Sequence, residues 1–417
     1  MKNFLLFFLL IASFTQTQAQ SKKRSVLFIG NSYTYFNNLP QLVEQLALAN
    51  GDTLVVDSYA PGGYTFNNHF NDANCLTKIY SKDWDFVVLQ AQSQEPSFSP
   101  AQVNAQTLPY ALKLDSVIRD NYACSKTVFF ETWGRKFGDA SNCAAYPPVC
   151  TYTGMQNRLK QSYILFANLT SGLVAPAGEA FRESILQNPN LELYQADQSH
   201  PSLEGSYLSA AVFYEALFQR SVLGNTFIST VNSNTASLLQ NIAHQVVRDS
   251  LHVWNLGVHL PWADFTYTST GSPSFQFQSF SPNLSTLWYF GDGSFASGAT
   301  PSHTYSASGQ YTVSQVAEDN CKKDSVSKVL VVNLPVGVTS FEEGEPWLMY
   351  PNPAKEMLYF RNTESVLVKL YSIAGELVKQ ETVSDQLSIS DLEEGIYVLQ
   401  LEQKGQHVYR QLIVNRQ

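Results

Sequence analysis

At 417 residues the chain is too long for one small scaffold and, at about 150 residues per domain, has room for two or three domains. Its 26 Lys and Arg stand against 35 Asp and Glu, a formal net charge of -9, which argues against an extended basic surface for nucleic acid or anionic lipid and leaves neutral or polar partners. The 22 Tyr, 26 Phe and 6 Trp suit β-rich exported proteins and sugar-contacting surfaces as well as ordinary cores.

The first twenty residues, with Lys2, an apolar stretch from Phe4 to about Phe14 and a small-residue exit near Ala19, read as a secretory signal peptide over 1–20. No later stretch reaches about 18 uninterrupted apolar residues, so no transmembrane span is expected. From Ser25 to about Val258 short apolar runs alternate with helical segments: "SVLFIG" with "LPQLVEQLALAN", "DTLVVDSYA" with the loop "PGGYTFNNHF", "WDFVVLQAQ" with "LPYALKLDSVIRD", and "TVFFETWG" with "MQNRLKQSYILFANLT". After "GLVAPAG" comes a segment with a helical stripe of Leu203, Tyr207, Ala211, Tyr214 and Phe218. Nearly continuous apolar strands alternating with helices imply a parallel sheet covered on both faces, a doubly wound α/β domain over 21–258. From Pro261 the stripes vanish, and short alternating segments separated by Gly, Ser, Asn and Asp predict a small antiparallel sandwich over 261–334. Residues 335–346 read as a linker, and 347–417 as a second all-β module.

Export permits disulfides, and five cysteines leave one thiol unpaired. Cys143 and Cys150 bracket "AAYPPV" and can close a short loop. Cys321 is the expected odd thiol because it lies in a different domain from the rest, and no spacing matches a zinc pattern.

In a doubly wound sheet functional groups gather at the C-terminal ends of strands, where "FIGNSYT" places Gly30, Asn31 and Ser32. A serine hydroxyl is a weak nucleophile unless a base and an orienting carboxylate reach it. Of the seven histidines, His200 in "YQADQSHPSLEG" stands directly before a helix, with Pro201 suited to its first turn. Asp197, three residues earlier, can meet the imidazole in the same turn. Trp133 in "FFETWGR" is a candidate to line a substrate cleft, with Glu131 and Arg135 flanking it, although a packed aromatic and a solvated pair are equally plain readings.

Four segments, "FIGNSYT", "APGGYT", "DFVVLQAQSQEP" and "DQSHP", occur in the order of the sequence blocks of the SGNH/GDSL hydrolases, in a branch that writes GNS for GDS. This resemblance implies the SGNH-hydrolase, flavodoxin-like three-layer fold and an ester hydrolase with Ser32 as nucleophile, His200 as base and acid, and Asp197 as its orienter. It further implies an oxyanion hole from the amides of Ser32 and Gly63, with Gly62 as the neighbouring choice. The third block departs from the family's G-x-N-D: Gln94 falls at the Asn position and Gln92 at the Gly, and the residues do not decide which amide serves the oxyanion. "WYFGDG", "HTY" and "GQYTV" resemble a PKD domain, and "YPNPAKEMLYF" through "GIYVLQLEQKGQHVYRQLIV" resembles a type IX secretion C-terminal sorting domain. Together these imply a secreted or outer-membrane-surface serine esterase that needs no metal or organic cofactor. Its expected partners are an acylated polysaccharide or small ester and the type IX secretion machinery. Carbohydrate O-acetyl esterase is the first expectation; a lipase, thioesterase or arylesterase and a non-catalytic glycan- or protein-binding surface protein are the alternatives.

Overall fold

The computed structural model describes residues 21–334, 349–361, 365–403 and 406–416. The expected signal peptide (1–20) and linker (335–346) lie outside the described residues. The chain divides into two compact units, residues 1–333 and 334–417.

In the first unit, strands β1 (Lys23–Ile29), β2 (Thr53–Tyr59), β3 (Phe86–Leu89), β4 (Lys126–Phe130) and β5 (Leu173–Ala175) form one parallel sheet in the order β2-β1-β3-β4-β5. The runs "VLFI" and "FVVL" are wholly buried, as expected of strands covered on both faces. Crossovers are right-handed, so the reversal of strand order at β1 puts helix α2 (Leu39–Ala49) on one face and the helices Leu108–Asn121 and Tyr152–Thr170 on the other. The reversal leaves a crevice at the carboxyl ends of β1 and β3, where doubly wound sheets bind ligands.

Two local readings differ from the structure. The segment expected as a loop after Gly63 contains helix α3 (Phe66–Phe70), started by a reciprocal capping box between Thr65 and Asn68. The helix Leu203–Phe218 is buried on every side from Gly205 to Phe218, not along one stripe. Neighbouring helix Ser233–Arg248 packs against it, and its interior Glu215 is satisfied by His244 and Arg248, each at 2.8 Å.

Residues 265–332 form a sandwich of a three-stranded and a four-stranded sheet, with Trp288 and Phe277 fully buried between them. It sits at the amino ends of the parallel strands, away from Ser32. Three ion pairs join it there: Lys22 to Asp324 at 2.7 Å, Lys322 to Asp85 at 2.9 Å and Lys126 to Asp319 at 3.2 Å. A disulfide between Cys124 and Cys321 ties the same edge. Cys321 is therefore paired, contrary to expectation, because the sandwich packs on the α/β domain and brings its turn to the start of β4. Cys75, on the buried face of α4 (Ala73–Tyr80), is the free thiol, and Cys143 pairs with Cys150. The second unit is also a sandwich, of three and four antiparallel strands around Leu358, Val368, Leu370, Leu399 and Leu401.

Candidate active site

The site begins with the turn that ends β1. Gly30 is required by space: a Cβ there would stand 2.2 Å from Thr34 Oγ1 and 2.6 Å from Gln90 Oε1. Asn31 is buried and holds the turn from three sides. Its N–H donates to Gln90 Oε1 (2.8 Å), its Nδ2 to the Tyr64 carbonyl (2.9 Å), and its Oδ1 accepts from Tyr33 N–H (3.2 Å), capping the short helix α1 (Ser32–Tyr35). Ser32 is thereby presented, half-buried, at the carboxyl edge of the sheet.

The opposite wall is the loop 194–202. A bridge between Tyr194 and Pro201 closes it, and Gln195 N–H donates to the His200 carbonyl at 2.8 Å. The following helix starts at Leu203 with Ser202 as its cap, so Pro201 lies before the helix and not in its first turn. Asp197 Oδ1 accepts the backbone N–H of Ser199 and of His200, both at 3.0 Å, while Oδ2 accepts from His200 Nδ1. Burial alone would raise the Asp197 carboxyl, but the hydrogen bonds from the His200 ring and the Ser199 and His200 amides outweigh it and hold it below the usual carboxylate range. With the carboxylate facing Nδ1, the tautomer that carries its proton there leaves Nε2 to accept from the Ser32 hydroxyl at 2.8 Å.

Several residues that the sequence reading passed over bring these two walls together. Asn37 Nδ2 reaches from beyond α1 to the carbonyls of Pro201 (3.2 Å) and Ser202 (3.0 Å) and to Ser206 Oγ (2.9 Å). Tyr33 hydrogen-bonds Ser199 Oγ at 2.6 Å, and Phe36 stacks on the His200 ring at 4.4 Å. Gln90, at the end of β3, takes both Asn31 N–H and Thr34 Oγ1–H on one oxygen. The legible signal was positional: a polar amide directly after a wholly apolar strand that neighbours β1.

Trp133, a candidate to line a substrate cleft or to pack as an aromatic, is fully buried. Its ring is sandwiched between Tyr33 (4.8 Å) and Phe181 (4.1 Å), and its indole N–H donates to the Ser199 carbonyl at 3.0 Å, so it braces the histidine loop. Glu131 is likewise buried, accepting from Gln156 Nε2 (2.6 Å) and Glu179 N–H (3.0 Å) at the start of the helix Ala177–Gln187; burial and then the Glu179 charge push its carboxyl up. Arg135 turns to Asp139 at 3.6 Å.

Of the two glutamines, Gln94 donates its amide to the buried Asp139 at 2.8 Å, four residues before the loop closed by Cys143 and Cys150. Gln92 Oε1 accepts the N–H of Gln94 (2.7 Å) and of Glu95 (3.2 Å), and its Nε2 makes only a 3.2 Å contact to Gln94 Oε1. Gly63 has φ +74, the left-handed conformation that favours glycine, in a turn joined to the serine loop by the Asn31 to Tyr64 bond.

His69 lies beneath this turn, fully buried, with Nε2 donating to the Gly30 carbonyl at 2.9 Å and Nδ1 without a partner. Burial lowers its pKa to about 4, against smaller upward pulls from the Gly30 carbonyl and Asp72. Between about pH 6.5 and 4 the unfolded chain binds a proton that the native state refuses, so stability should decline by up to about 3 kcal/mol as pH falls across that window and level off below it. Denaturant titrations at stepped pH should find this slope in the wild type and its absence in His69→Gln.

Residues 266–334 match the family described as PKD domain, and residues 348–415 the one described as Secretion system C-terminal sorting domain. No curated protein matches the chain. Among solved structures, a DUF4886 family protein from Bacteroides uniformis is 19% identical, covering 54% of this chain and 96% of that one, with a TM-score of 0.48. A protein from Slackia heliotrinireducens described as a candidate SGNH hydrolase is 26% identical over 47% of this chain and 99% of its own, with a TM-score of 0.40. The PKD1 domain of Vibrio anguillarum Epp is 30% identical over 18% and 95%, with a TM-score of 0.16. Among the described residues no helix is long and apolar enough to cross a membrane. Behind its α/β domain, therefore, the chain carries a PKD domain and a secretion system C-terminal sorting domain, the latter a mark of export.

Proposed function

We propose that the α/β domain is a serine ester hydrolase that removes O-acyl groups, acetyl foremost, from carbohydrate. One observation carries the reading: an unbroken hydrogen-bond line from Ser32 Oγ through both nitrogens of His200 to the Asp197 carboxylate, assembled from opposite ends of the domain. A serine with no chemical task has no use for an imidazole whose far nitrogen is anchored to an ionised carboxylate.

In this mechanism His200 Nε2 takes the Ser32 proton as Oγ bonds to the ester carbonyl carbon. The imidazolium, steadied by Asp197, returns that proton to the departing alcohol oxygen as the C–O bond breaks and the acyl-enzyme forms. Water, deprotonated by the same nitrogen, releases the acid and restores Ser32. The N–H groups of Ser32 and Gly63 hold the oxyanion. Gln92 is the better third donor, because the Gln94 amide is engaged by Asp139. The carbohydrate clause is supported by the export module and by the asparagine-rich surface that follows the glycine turn.

The test is a substrate panel on the full chain. Esterified xylo-oligosaccharide should be cleaved with kcat/KM at least about tenfold above that for p-nitrophenyl octanoate, since the site is argued to recognise a polar alcohol. The reverse order would make it a lipase- or thioesterase-type enzyme. Cleavage of neither would leave a surface protein without turnover.

A further inference from the structure

Next to the glycine turn lies an open hollow of about 530 Å³ lined by Tyr64, Asn67, Asn68, Asn71, Asp72 and Ala73. It begins one residue beyond Gly63. Its wall is bonded to the serine loop twice, through Asn31 Nδ2 to the Tyr64 carbonyl and through His69 to the Gly30 carbonyl. We infer that this hollow is the subsite for the alcohol part of the substrate, a neutral polyhydroxylated ring such as a pentose or hexose unit of a glycan. The inference rests on the ester-hydrolase reading for its place in catalysis, and on the hollow itself for binding.

The chemistry of the wall selects the ligand. Asp72 accepts from the hydroxyls of Tyr59 (2.6 Å) and Tyr64 (3.2 Å) and caps α4 through Asn74 N–H (2.9 Å). The Tyr59 hydrogen bond, foremost, keeps the Asp72 carboxyl below its ordinary value, and in return pushes the Tyr59 phenol up to about 12. A fixed negative charge with no cation on the wall disfavours phosphate or carboxylate ligands, and one carboxylate is too little for a metal ion. An acyl chain would find almost no aliphatic surface. Asn71 Nδ2 is spent on the Asn67 carbonyl (2.9 Å) and Asn67 Oδ1 (2.7 Å). Among the described residues no hydrogen bond engages Nδ2 of Asn67, Nδ2 of Asn68 or Oδ1 of Asn71. Donors and acceptors spaced along the exposed side of α3 and the turn after it, beside a phenol ring, match alternating sugar hydroxyls and a C–H face.

The probe is xylotetraose without ester groups, titrated into the full chain by calorimetry, so that binding is read without turnover. The wild type should bind, and Asn71→Ala and Asn67→Ala, both at exposed positions, should each weaken binding about five- to tenfold while the unfolding midpoint stays put. On acetylated xylotetraose, Asn71→Ala should raise KM with kcat retained, the mark of lost ground-state binding. No binding by the wild type, or equal binding by both variants, overturns the subsite even if ester hydrolysis is found. Binding that depends on Asn67 and Asn71, without any ester hydrolysis, leaves the subsite standing and sinks the enzyme reading instead.

Discussion

Ser32→Ala should lower kcat by about 10⁴- to 10⁶-fold, the cost of removing a nucleophile that acts as a unit with its base. The hydroxyl bonds His200 Nε2, and the residue is only half-buried, so the fold loses little when the oxygen goes. Circular dichroism and the unfolding midpoint should therefore match the wild type while acetate release stops. His200→Ala should cost a similar factor, and the double variant no more than either alone, because a base without a nucleophile does nothing. Additive losses, or an unchanged biological role in Ser32→Ala, would mean that the two groups do not work on one proton.

Replacing Cys124 and Cys321 together by serine should destabilise the first unit by about 2–5 kcal/mol, since the bond closes a loop of 197 residues. Scanning calorimetry under non-reducing conditions should register a midpoint lower by roughly 3–8 °C. The three ion pairs on the same edge do not replace the crosslink: Lys22 and Lys322 are largely buried, so the cost of desolvating each charge offsets much of the Coulombic gain. Ester hydrolysis at 25 °C should survive, because the disulfide is at the amino ends of the strands and Ser32 is at the carboxyl end of β1. A loss of turnover in step with the loss of stability would instead tie the sandwich to the site.

Much of this architecture is written in short-range patterns. Wholly apolar runs as short as "VLFI" and "FVVL", β-branched or aromatic and bounded by polar or turn residues, read as strands buried on both faces, and a serine after such a run in a doubly wound sheet lies at the ligand-binding edge. Asp197 and His200 could be paired on paper because three residues in one turn bring side chains together without help from the rest of the fold. Trp133 and Glu131 were illegible for the opposite reason. A large aromatic or a carboxylate at a strand end looks the same in sequence whether the next layer covers it or leaves it open. Here Phe181, Tyr33 and the start of the Ala177–Gln187 helix cover both. The two glutamines could not be ranked until Asp139, 45 residues away, was found holding one of them.

By itself, then, the amino-acid order determined the strand–helix alternation, the serine's station and the aspartate–histidine turn, since each follows from local geometry and the burial of contiguous residues. Tertiary structure alone decided that Asn37 joins those two stations, that Cys321 finds Cys124 and that Trp133 is a brace. Those outcomes depend on contacts between residues far apart in the chain, and such contacts exist only once the layers have packed.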